Sequence, residues 1–129
     1  MWQDTLTEIR RFGALPVNFL ILGAVTPEQR DEALDALRTA AGRDAWRLPQ
    51  TTRFELPLVP RSVVVIDQVA DLSTDDQHAL LRWLDKQRDA VVLSFGTNAM
   101  FRLVTDGKFL ARLYYRLNII TLTVDDEAA

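Results

Sequence analysis

Val17-Asn18-Phe19-Leu20-Ile21-Leu22-Gly23 is a short, almost continuous apolar run that ends in glycine. Such a run is typical of a parallel β-strand whose two faces are both covered by helices. The period becomes helical from Thr26 onward, where Thr26 is suited to cap a helix and Pro27 suits its first turn. Strand, turn and helix therefore form the first unit of the fold, and we expect this strand to be central in its sheet.

Three more segments carry strand signals. β-Branched residues fill the run Ser62–Asp67, which ends in a carboxylate, and Ala90–Phe95 is another apolar run closed by a glycine. The alternating segment Asn118–Val124 predicts a last strand. Between the first helix and the second apolar run, the proline-containing residues 43–61 predict short edge pieces and extended chain.

Helical patterns separate these strands. Residues 1–15 predict an amphipathic opening helix, Ser73 caps a second pattern, and Ala99–Leu117 is helical with a break in the middle. Strands that alternate with helices imply a mainly parallel sheet covered on both faces, so we predict a three-layer α/β fold with a five-stranded sheet. We expect residues 1–129 to form a single domain with a frayed tail at 125–129.

Composition excludes several classes of protein. The chain has 129 residues, no cysteine, and 15 Lys and Arg against 18 Asp and Glu, for a net charge of −3. Without cysteine there is no disulfide framework, zinc ribbon or thiol nucleophile, and a reducing cytoplasm fits best. The longest nearly apolar stretch, Val17–Val25, is too short to span a membrane, so we expect a cytoplasmic protein. The acidic excess argues against binding to nucleic acid.

Three motifs occur in order along the chain: residues 66–73 read IDQVADLS, residues 96–98 read GTN, and residues 107–118 read GKFLARLYYRLN. They resemble the AAA+ domain of sigma-54-dependent transcriptional activators, the bacterial enhancer-binding proteins. The corresponding segments of that family read like LFLDEIGDLS, TTN and GRFREDLYYRLN. The resemblance covers roughly residues 17–124 and implies a P-loop NTPase core. Clamp-loader subunits share the first two features but lack the LYYRLN run.

The resemblance implies a phosphate-binding turn after the first strand. Such a turn reads GxxxxGK[ST], because backbone N–H groups, a lysine and a hydroxyl must hold phosphate and magnesium. If Gly23 is the first glycine, Glu28, Gln29 and Arg30 replace the second glycine, the lysine and the hydroxyl residue. Pro27 also removes one N–H from the cradle. We therefore predict that phosphate binding is lost and that the chain has no nucleotide cofactor, although a helix amino terminus still offers a weak anion site.

The other family positions are vestigial as well. Asp67 keeps the magnesium-side carboxylate, but Gln68 stands where the family places the glutamate that polarises the attacking water. Asn98 matches the family's sensor asparagine, although asparagine is also common in turns between a strand and a helix. Leu110 replaces the first of the family's two arginine fingers, whereas Arg116 keeps the second. We predict neither ATP hydrolysis nor a metal site.

The resemblance also bears on the partner. The GAFTGA loop through which activators touch their sigma factor does not occur between residues 42 and 62, and no helical lid follows the last strand, so we do not expect sigma-54 remodelling. We predict a non-catalytic interaction domain in bacterial signalling or transcriptional regulation, which docks on a protein partner or on a second copy of itself. The candidate docking residues belong to the best-preserved motif and are Phe109, Arg112, Tyr114, Tyr115 and Arg116.

Two other interpretations stay open. A divergent ATPase would use Asp67, Asn98 and Arg116 with an unconventional phosphate loop and would work as an oligomer. A receiver-like or ligand-sensing domain would account for carboxylates at strand ends, but the adjacent acids on the first strand and the late lysine of a phospho-receiver are missing.

His78, the only histidine, has no partners of matched type for catalysis and is interpreted as an exposed helix residue.

Overall fold

A computed structural model describes residues 2–47, 56, 62–87 and 89–124. The described chain alternates helices and strands, in the order α1 (Trp2–Phe12), β1 (Phe19–Leu22), α2 (Pro27–Ala41), β2 (Asp44–Arg47), β3 (Ser62–Ile66), α3 (Thr74–Lys86), β4 (Val91–Gly96), α4 (Met100–Thr105), α5 (Ala111–Leu117) and β5 (Ile120–Thr123). A single 3₁₀ turn, Val69–Asp71, connects β3 to α3. None of these helices is both long enough and apolar enough to cross a membrane.

The strands form one sheet in the order β2-β3-β4-β1-β5. Every neighbouring pair is parallel, which confirms the predicted α/β class. β1 is an interior strand with hydrogen-bonded neighbours on both sides, as its apolar run predicts, but β4 takes the middle place. Its six residues are all buried, more completely than those of any other strand in the described chain.

Helices cover both faces of the sheet and create two separate cores. On one face, α1 and α2 pack through residues such as Ile9 and Leu37 against Phe19 of β1. On the other face, α3, α4 and α5 pack on Leu20 and its neighbours; the helix residues buried there include Leu80, Leu81, Leu84, Met100, Leu113 and Leu117. Alternate residues of β1, β3 and β4 point to opposite faces, which is why their sequences are apolar throughout rather than alternating.

Capping residues set the helix boundaries where the sequence predicts them. The Oγ1 of Thr26 accepts from the backbone N–H of Gln29 at 3.1 Å, and the Oγ of Ser73 accepts from that of Asp76 at 3.1 Å. Gly42 ends α2 in the left-handed conformation, with φ 65°. The caps matter for function because the amino end of α2 lies in the turn that follows β1.

Two segments of the sequence, residues 43–61 and the tail, are only partly covered by the described structure. β2 is an edge strand, which agrees with the edge pieces expected within residues 43–61. Apart from Leu56, which packs against the second core, residues 48–61 lie outside the described part of the chain. The expected frayed tail, residues 125–129, also lies outside it.

Asn18 is a buried polar residue that ties the sheet to α5. Its side-chain amide nitrogen donates to the carbonyl oxygen of Arg116 at 2.8 Å, and its Oδ1 accepts from the backbone N–H of Val92 at 2.8 Å. Its own carbonyl accepts from Ile120 at 3.1 Å. Asn18 is only 8% exposed, so none of these groups has water as a ready alternative partner. One side chain therefore joins β4 to the carboxyl end of α5.

Replacing Asn18 by alanine is expected to lower the free energy of unfolding by about 2–4 kcal/mol, because it leaves a buried N–H and a buried carbonyl unpaired. Urea denaturation followed by circular dichroism measures this loss. Asn98→Ala is the matched control, since Asn98 is exposed, and it should change stability by less than about 0.5 kcal/mol. Equal losses in the two variants would contradict the bridging role of Asn18.

Candidate functional site

The candidate site lies where three neighbouring strands end. β3 is followed by Asp67 and Gln68, β4 by a turn that contains Asn98, and β1 by Gly23. The three strands are adjacent and parallel, so their carboxyl ends meet at one edge of the sheet. In open α/β sheets ligands bind in the crevice outside these ends. The structure thus brings the family positions that follow the three strands to the same edge.

Gly23 starts the turn after β1 in a conformation that favours glycine. Its φ is 119°, and a β-carbon built on it would lie 2.5 Å from the carbonyl oxygen of Val124. The backbone N–H of Val124 donates to Leu22 at 2.7 Å, and that of Gly23 donates to Gly96 at 3.1 Å. The start of the turn is therefore held between β4 and the residue that follows β5.

Most backbone N–H groups of the following turn are occupied or missing. The N–H of Thr26 donates to Oε1 of Gln29 at 2.9 Å, and the N–H of Gln29 donates to the Thr26 hydroxyl at 3.1 Å. Pro27 has no N–H, and that of Arg30 donates to the carbonyl of Thr26 at 2.9 Å as the first helical bond. None of these four residues offers an amide to an incoming anion.

The remaining groups of the turn form a poor anion site. Ala24, Val25 and Glu28 are the residues of this turn whose amides make no hydrogen bond within the described chain. Glu28 is exposed in the first turn of α2 and adds a negative charge beside them. Gln29, at the family's lysine position, is neutral, and its Oε1 caps its own helix. The turn therefore lacks a cation at the lysine position, where a triphosphate needs one.

Arg30 and Asp67 form an ion pair across the candidate site. The Nε of Arg30 lies 3.7 Å from Oδ1 of Asp67, and the two side chains are 30% and 20% exposed. The Nη1 of Arg30 also donates to the carbonyl of Val25 at 3.3 Å. The guanidinium thus bridges the turn and the carboxylate. A divalent cation bound to Asp67 would stand beside this positive charge and be repelled by it.

Gln68, at the family's catalytic glutamate, has an unusual backbone. Its φ is 50° and its ψ is 51°, the left-handed region that side-chain-bearing residues rarely adopt. Its carbonyl accepts from the N–H of Asp71 at 2.9 Å, which closes the 3₁₀ turn. The side chain is exposed and ends in an amide, which has no basic oxygen of the kind a general base needs.

Asn98 occupies an exposed turn between β4 and α4. The neighbouring Thr97 organises this turn, because its hydroxyl accepts from the N–H of Ala99 at 3.2 Å and its carbonyl accepts from that of Met100 at 3.1 Å. The side chain of Asn98 makes no hydrogen bond among the described residues. Asn98 thus lies at the end of β4, as the sequence predicts. This position in a turn between a strand and a helix also agrees with its interpretation as an ordinary turn residue.

The candidate docking segment divides into a buried and an exposed part. Phe109 is 2% exposed and Tyr114 is 8% exposed, and both belong to the second core. Phe109 is therefore not available for docking, which corrects the expectation from the sequence. Phe109 lies in the link between α4 and α5, where its N–H donates to the carbonyl of Leu103 at 3.2 Å, and its side chain packs in the second core with Leu113 and Leu117. Tyr115, by contrast, is 56% exposed.

The structure also assigns partners to the two arginines of this segment. The Nη2 of Arg116 donates to the carbonyl of Leu84 at 2.9 Å, and its Nη1 donates to Oδ1 of Asp85. Arg116 therefore binds the carboxyl end of α3, where a cation is favourable. Arg112 is 78% exposed, and its Nη2 lies 3.9 Å from Oδ2 of Asp85. Of the two arginines, Arg112 is thus the one that faces solvent.

Gln77 is a residue of this region that sequence reasoning missed. It is 2% exposed; its Nε2 donates to Leu72 at 2.9 Å and Lys108 at 3.3 Å, while its Oε1 accepts from the N–H of Leu110 at 2.8 Å. It thereby fixes the start of α5 against α3. The available signal was a polar residue on the same helical stripe as the buried leucines of α3.

The other candidates stay outside any reactive cluster. His78 is exposed on α3, as predicted, and Trp83 packs partly buried against the second core. Ser94 is fully buried on β4, and its hydroxyl has no hydrogen-bond partner among the described side and main chains. In the described part of the chain, no three His, Cys, Asp or Glu side chains are grouped so that they could hold a metal ion.

Comparison with known proteins identifies the fold. No family model matches the sequence, and no curated protein matches it. Solved structures do match, among them NtrX from Brucella abortus in complex with ADP, with a TM-score of 0.73 and 16% identity over 96% of this chain and 36% of that chain. NtrX in complex with ATP gives a TM-score of 0.74 and 15% identity over 96% and 37% of the two chains.

A third match is the P-loop NTPase domain of the sigma-54 transport activator from E. coli, with a TM-score of 0.56 and 15% identity over 89% of this chain and 99% of that one. The chain spans about a third of the NtrX chains it matches. At these identities the likeness establishes the fold. The chain has a P-loop NTPase-like α/β fold that resembles the AAA+ domains of sigma-54 activators.

Replacing Arg116 by alanine is expected to lower the free energy of unfolding by about 1–2 kcal/mol, because it removes the hydrogen bonds of the guanidinium to the carbonyl of Leu84 and to the partly exposed carboxylate of Asp85, which keeps only the more distant Arg112. Arg112→Ala, the matched control, removes only an exposed pair and should cost less than about 0.5 kcal/mol. Thermal and urea denaturation of both variants measures the difference. A larger loss in Arg112→Ala would contradict the structural role of Arg116.

Proposed function

We propose that this chain is a non-hydrolysing AAA+-like domain that acts through protein contacts, in bacterial signalling or transcriptional regulation. Residues 1–129 form one such domain in this proposal. The observation that carries it lies in the turn after β1, where the capping contacts of Thr26 and Gln29 occupy two of the amides that would cradle phosphate. The other supporting observations concern the magnesium position, the general base and the arginine finger.

Loss of the phosphate cradle is the first argument. The mutual cap of Thr26 and Gln29 uses two amides, and Pro27 supplies none. Binding a triphosphate would break the capping box, and the released carboxamide of Gln29 would carry no charge to compensate. The carboxylate of Glu28 would also repel the phosphates. These contributions act in the same direction, so we expect no tight binding of ATP.

The ion pair between Arg30 and Asp67 is the second argument. In a P-loop NTPase the hydroxyl residue and the acidic residue at these positions hold Mg²⁺ together. Here a permanently charged guanidinium lies 3.7 Å from the carboxylate and supplies the positive charge from within the chain. The pair therefore replaces the ion rather than recruiting it, and we expect no magnesium-dependent step at Asp67.

Loss of the general base and of a mobile finger is the third argument. Gln68 carries an amide where hydrolysis needs a carboxylate. Arg116 holds the end of α3 through Leu84 and Asp85, so its guanidinium is already engaged inside its own chain. In this proposal the general base is absent, and Asp67 and Arg116 are paired within the chain, so Asn98 at the sensor position has no attacking water to orient. A fold that retains its cores without this chemistry is suited to binding another protein.

A divergent ATPase is the second candidate, because solved structures with this fold include NtrX in complex with ADP and with ATP. In this alternative the chain binds nucleotide through the remaining amides of the turn. Arg116 of one copy then acts on the nucleotide of another, so specific activity rises with protein concentration. A phosphate-release assay across protein concentration separates the two candidates.

Isothermal titration with MgATP is expected to give no binding tighter than about 1 mM for the unmodified chain, because the turn offers neither cation nor cradle. Arg30→Ala serves as the matched variant: it removes the guanidinium beside Asp67 without restoring the cradle, and it should remain equally inert. Micromolar affinity in the unmodified chain would contradict the proposal. A specific activity, measured as phosphate released per mole of protein, that rises with protein concentration would favour the ATPase instead.

A further inference from the structure

Three aromatic rings form a continuous strip on the surface of α4 and α5, which we call the aromatic face: Phe101, Tyr114 and Tyr115. The ring centroids of Phe101 and Tyr114 lie 6.2 Å apart, and those of Tyr114 and Tyr115 lie 5.4 Å apart. Tyr114 is buried, whereas the two outer residues are 59% and 56% exposed. They are two of the four large hydrophobic residues that are exposed in the described chain.

Exposed aromatic side chains are costly to leave in water, and Phe101 and Tyr115 both rest against the ring of the buried Tyr114. Contiguous exposed apolar patches mark interaction sites, and tyrosine is enriched at the centres of protein interfaces. The backbone beneath the aromatic face is well fixed, because Gln77 holds the start of α5 and Arg116 holds its last turn. The face is thus presented on a rigid support, which reduces the entropy lost when a partner binds.

The segment that carries the aromatic face is locally basic. Residues 100–118 carry four basic side chains and one acidic side chain, whereas the whole chain has a net charge of −3. Arg112 lies three residues before Tyr115 on the same helix, so the two exposed side chains are neighbours. Arg102 is exposed beside Phe101 in the sequence. The acidic groups that face this region are Asp106 and, from α3, Asp85.

We infer that the aromatic face docks an acidic segment of a partner protein that carries apolar side chains as well as carboxylates. This inference rests on the proposed function and names the chemistry of the partner. The apolar side chains would cover Phe101 and Tyr115, while carboxylates would pair with Arg102 and Arg112. Both kinds of contact are needed, because the face combines exposed rings with a local cationic excess in an acidic chain.

A second copy of the chain fits this face less well. Helix α2 offers an exposed acidic stripe on one side, formed by Glu28, Asp31, Glu32 and Asp35. That stripe carries no exposed large hydrophobic residue, since the remaining two in the described chain are Leu15 and Ile119. Its carboxylates would meet the cations but leave the aromatic rings uncovered. A partner with interleaved acidic and apolar residues meets both.

Nucleic acid also fits less well. Stacking on exposed rings beside arginines is a common mode of single-strand binding. Affinity for nucleic acid depends on how many phosphates the basic side chains neutralise. Here Arg116 is engaged by Asp85, which leaves Arg102 and Arg112 as the exposed arginines of α4 and α5. Two arginines neutralise few phosphates, whereas a peptide with apolar side chains also covers Phe101 and Tyr115. The observations therefore favour a peptide.

Selection from a displayed library of random peptides of about 15 residues, against the full chain, tests the inference directly. Enriched peptides should carry net negative charge with leucine or aromatic residues at helical or alternating spacing. A synthetic copy of an enriched peptide should bind in fluorescence anisotropy, and the affinity should fall as salt is raised.

Variants of the face supply the specificity test. Arg112→Glu, Phe101→Ala and Tyr115→Ala should each weaken binding of the synthetic peptide by about tenfold or more. Two matched controls on the opposite side of the sheet, Arg10→Glu and Leu15→Ala, should change it by less than about twofold. Circular dichroism melts establish that all variants are folded, so that a lost affinity reports on the face.

Any of five outcomes would overturn the inference. Enrichment of neutral or basic peptides, of peptides whose affinity ignores the face variants, or of none at all would show that the face is not an acidic-peptide site. Binding of oligo-dT that is lost in Tyr115→Ala would assign the face to nucleic acid. Concentration-dependent self-association abolished by Arg112→Glu would assign it to a second copy. None of these results bears on nucleotide binding, so the titration with MgATP tests the proposed function separately.

Discussion

The ion pair between Arg30 and Asp67 is the contact on which the interpretation of the site depends. It joins the first turn of α2 to the end of β3, at the edge where a P-loop NTPase would bind magnesium and phosphate. Unlike Mg²⁺, the guanidinium of Arg30 brings no phosphate with it. The carboxylate at this edge thus has a cation of its own chain beside it, at 3.7 Å. In the neighbouring turn, the capping box of Thr26 and Gln29 occupies two backbone N–H groups with hydrogen bonds.

The residues that stabilise the fold are different from those of the candidate nucleotide site. The two cores rest on strands that are apolar on both faces, and the polar residues that link elements, Asn18 and Gln77, have all their main polar groups bonded. None of these features involves a nucleotide. The surface that departs most from an ordinary solvated face lies instead on α4 and α5, where Phe101 and Tyr115 are exposed among cations. The molecule thus offers a stable scaffold whose distinctive surface is suited to a protein.

The sequence predicted the fold well because burial on two faces leaves continuous apolar runs and because caps such as Thr26 and Ser73 are local signals. It predicted the residues at the sheet edge because parallel strands end together. It did not predict which residues of the docking segment are buried, since Phe109 enters the core through the path of the link between α4 and α5. Nor did it predict the partners of Arg116, because Leu84 and Asp85 are distant in sequence. Contacts between residues that are far apart in the sequence do not produce a periodic pattern in it.

The central claim is that the turn after β1 cannot hold a triphosphate. The most direct measurement follows the backbone amides of residues 23–30 by ¹H–¹⁵N NMR while MgATP is added to the full chain. The account predicts that the amide signals of Gly23, Thr26 and Gln29 keep their positions, because those groups stay bonded to Gly96 and to each other. Saturable shifts of these amides, accompanied by a shift at Asn98, would contradict it.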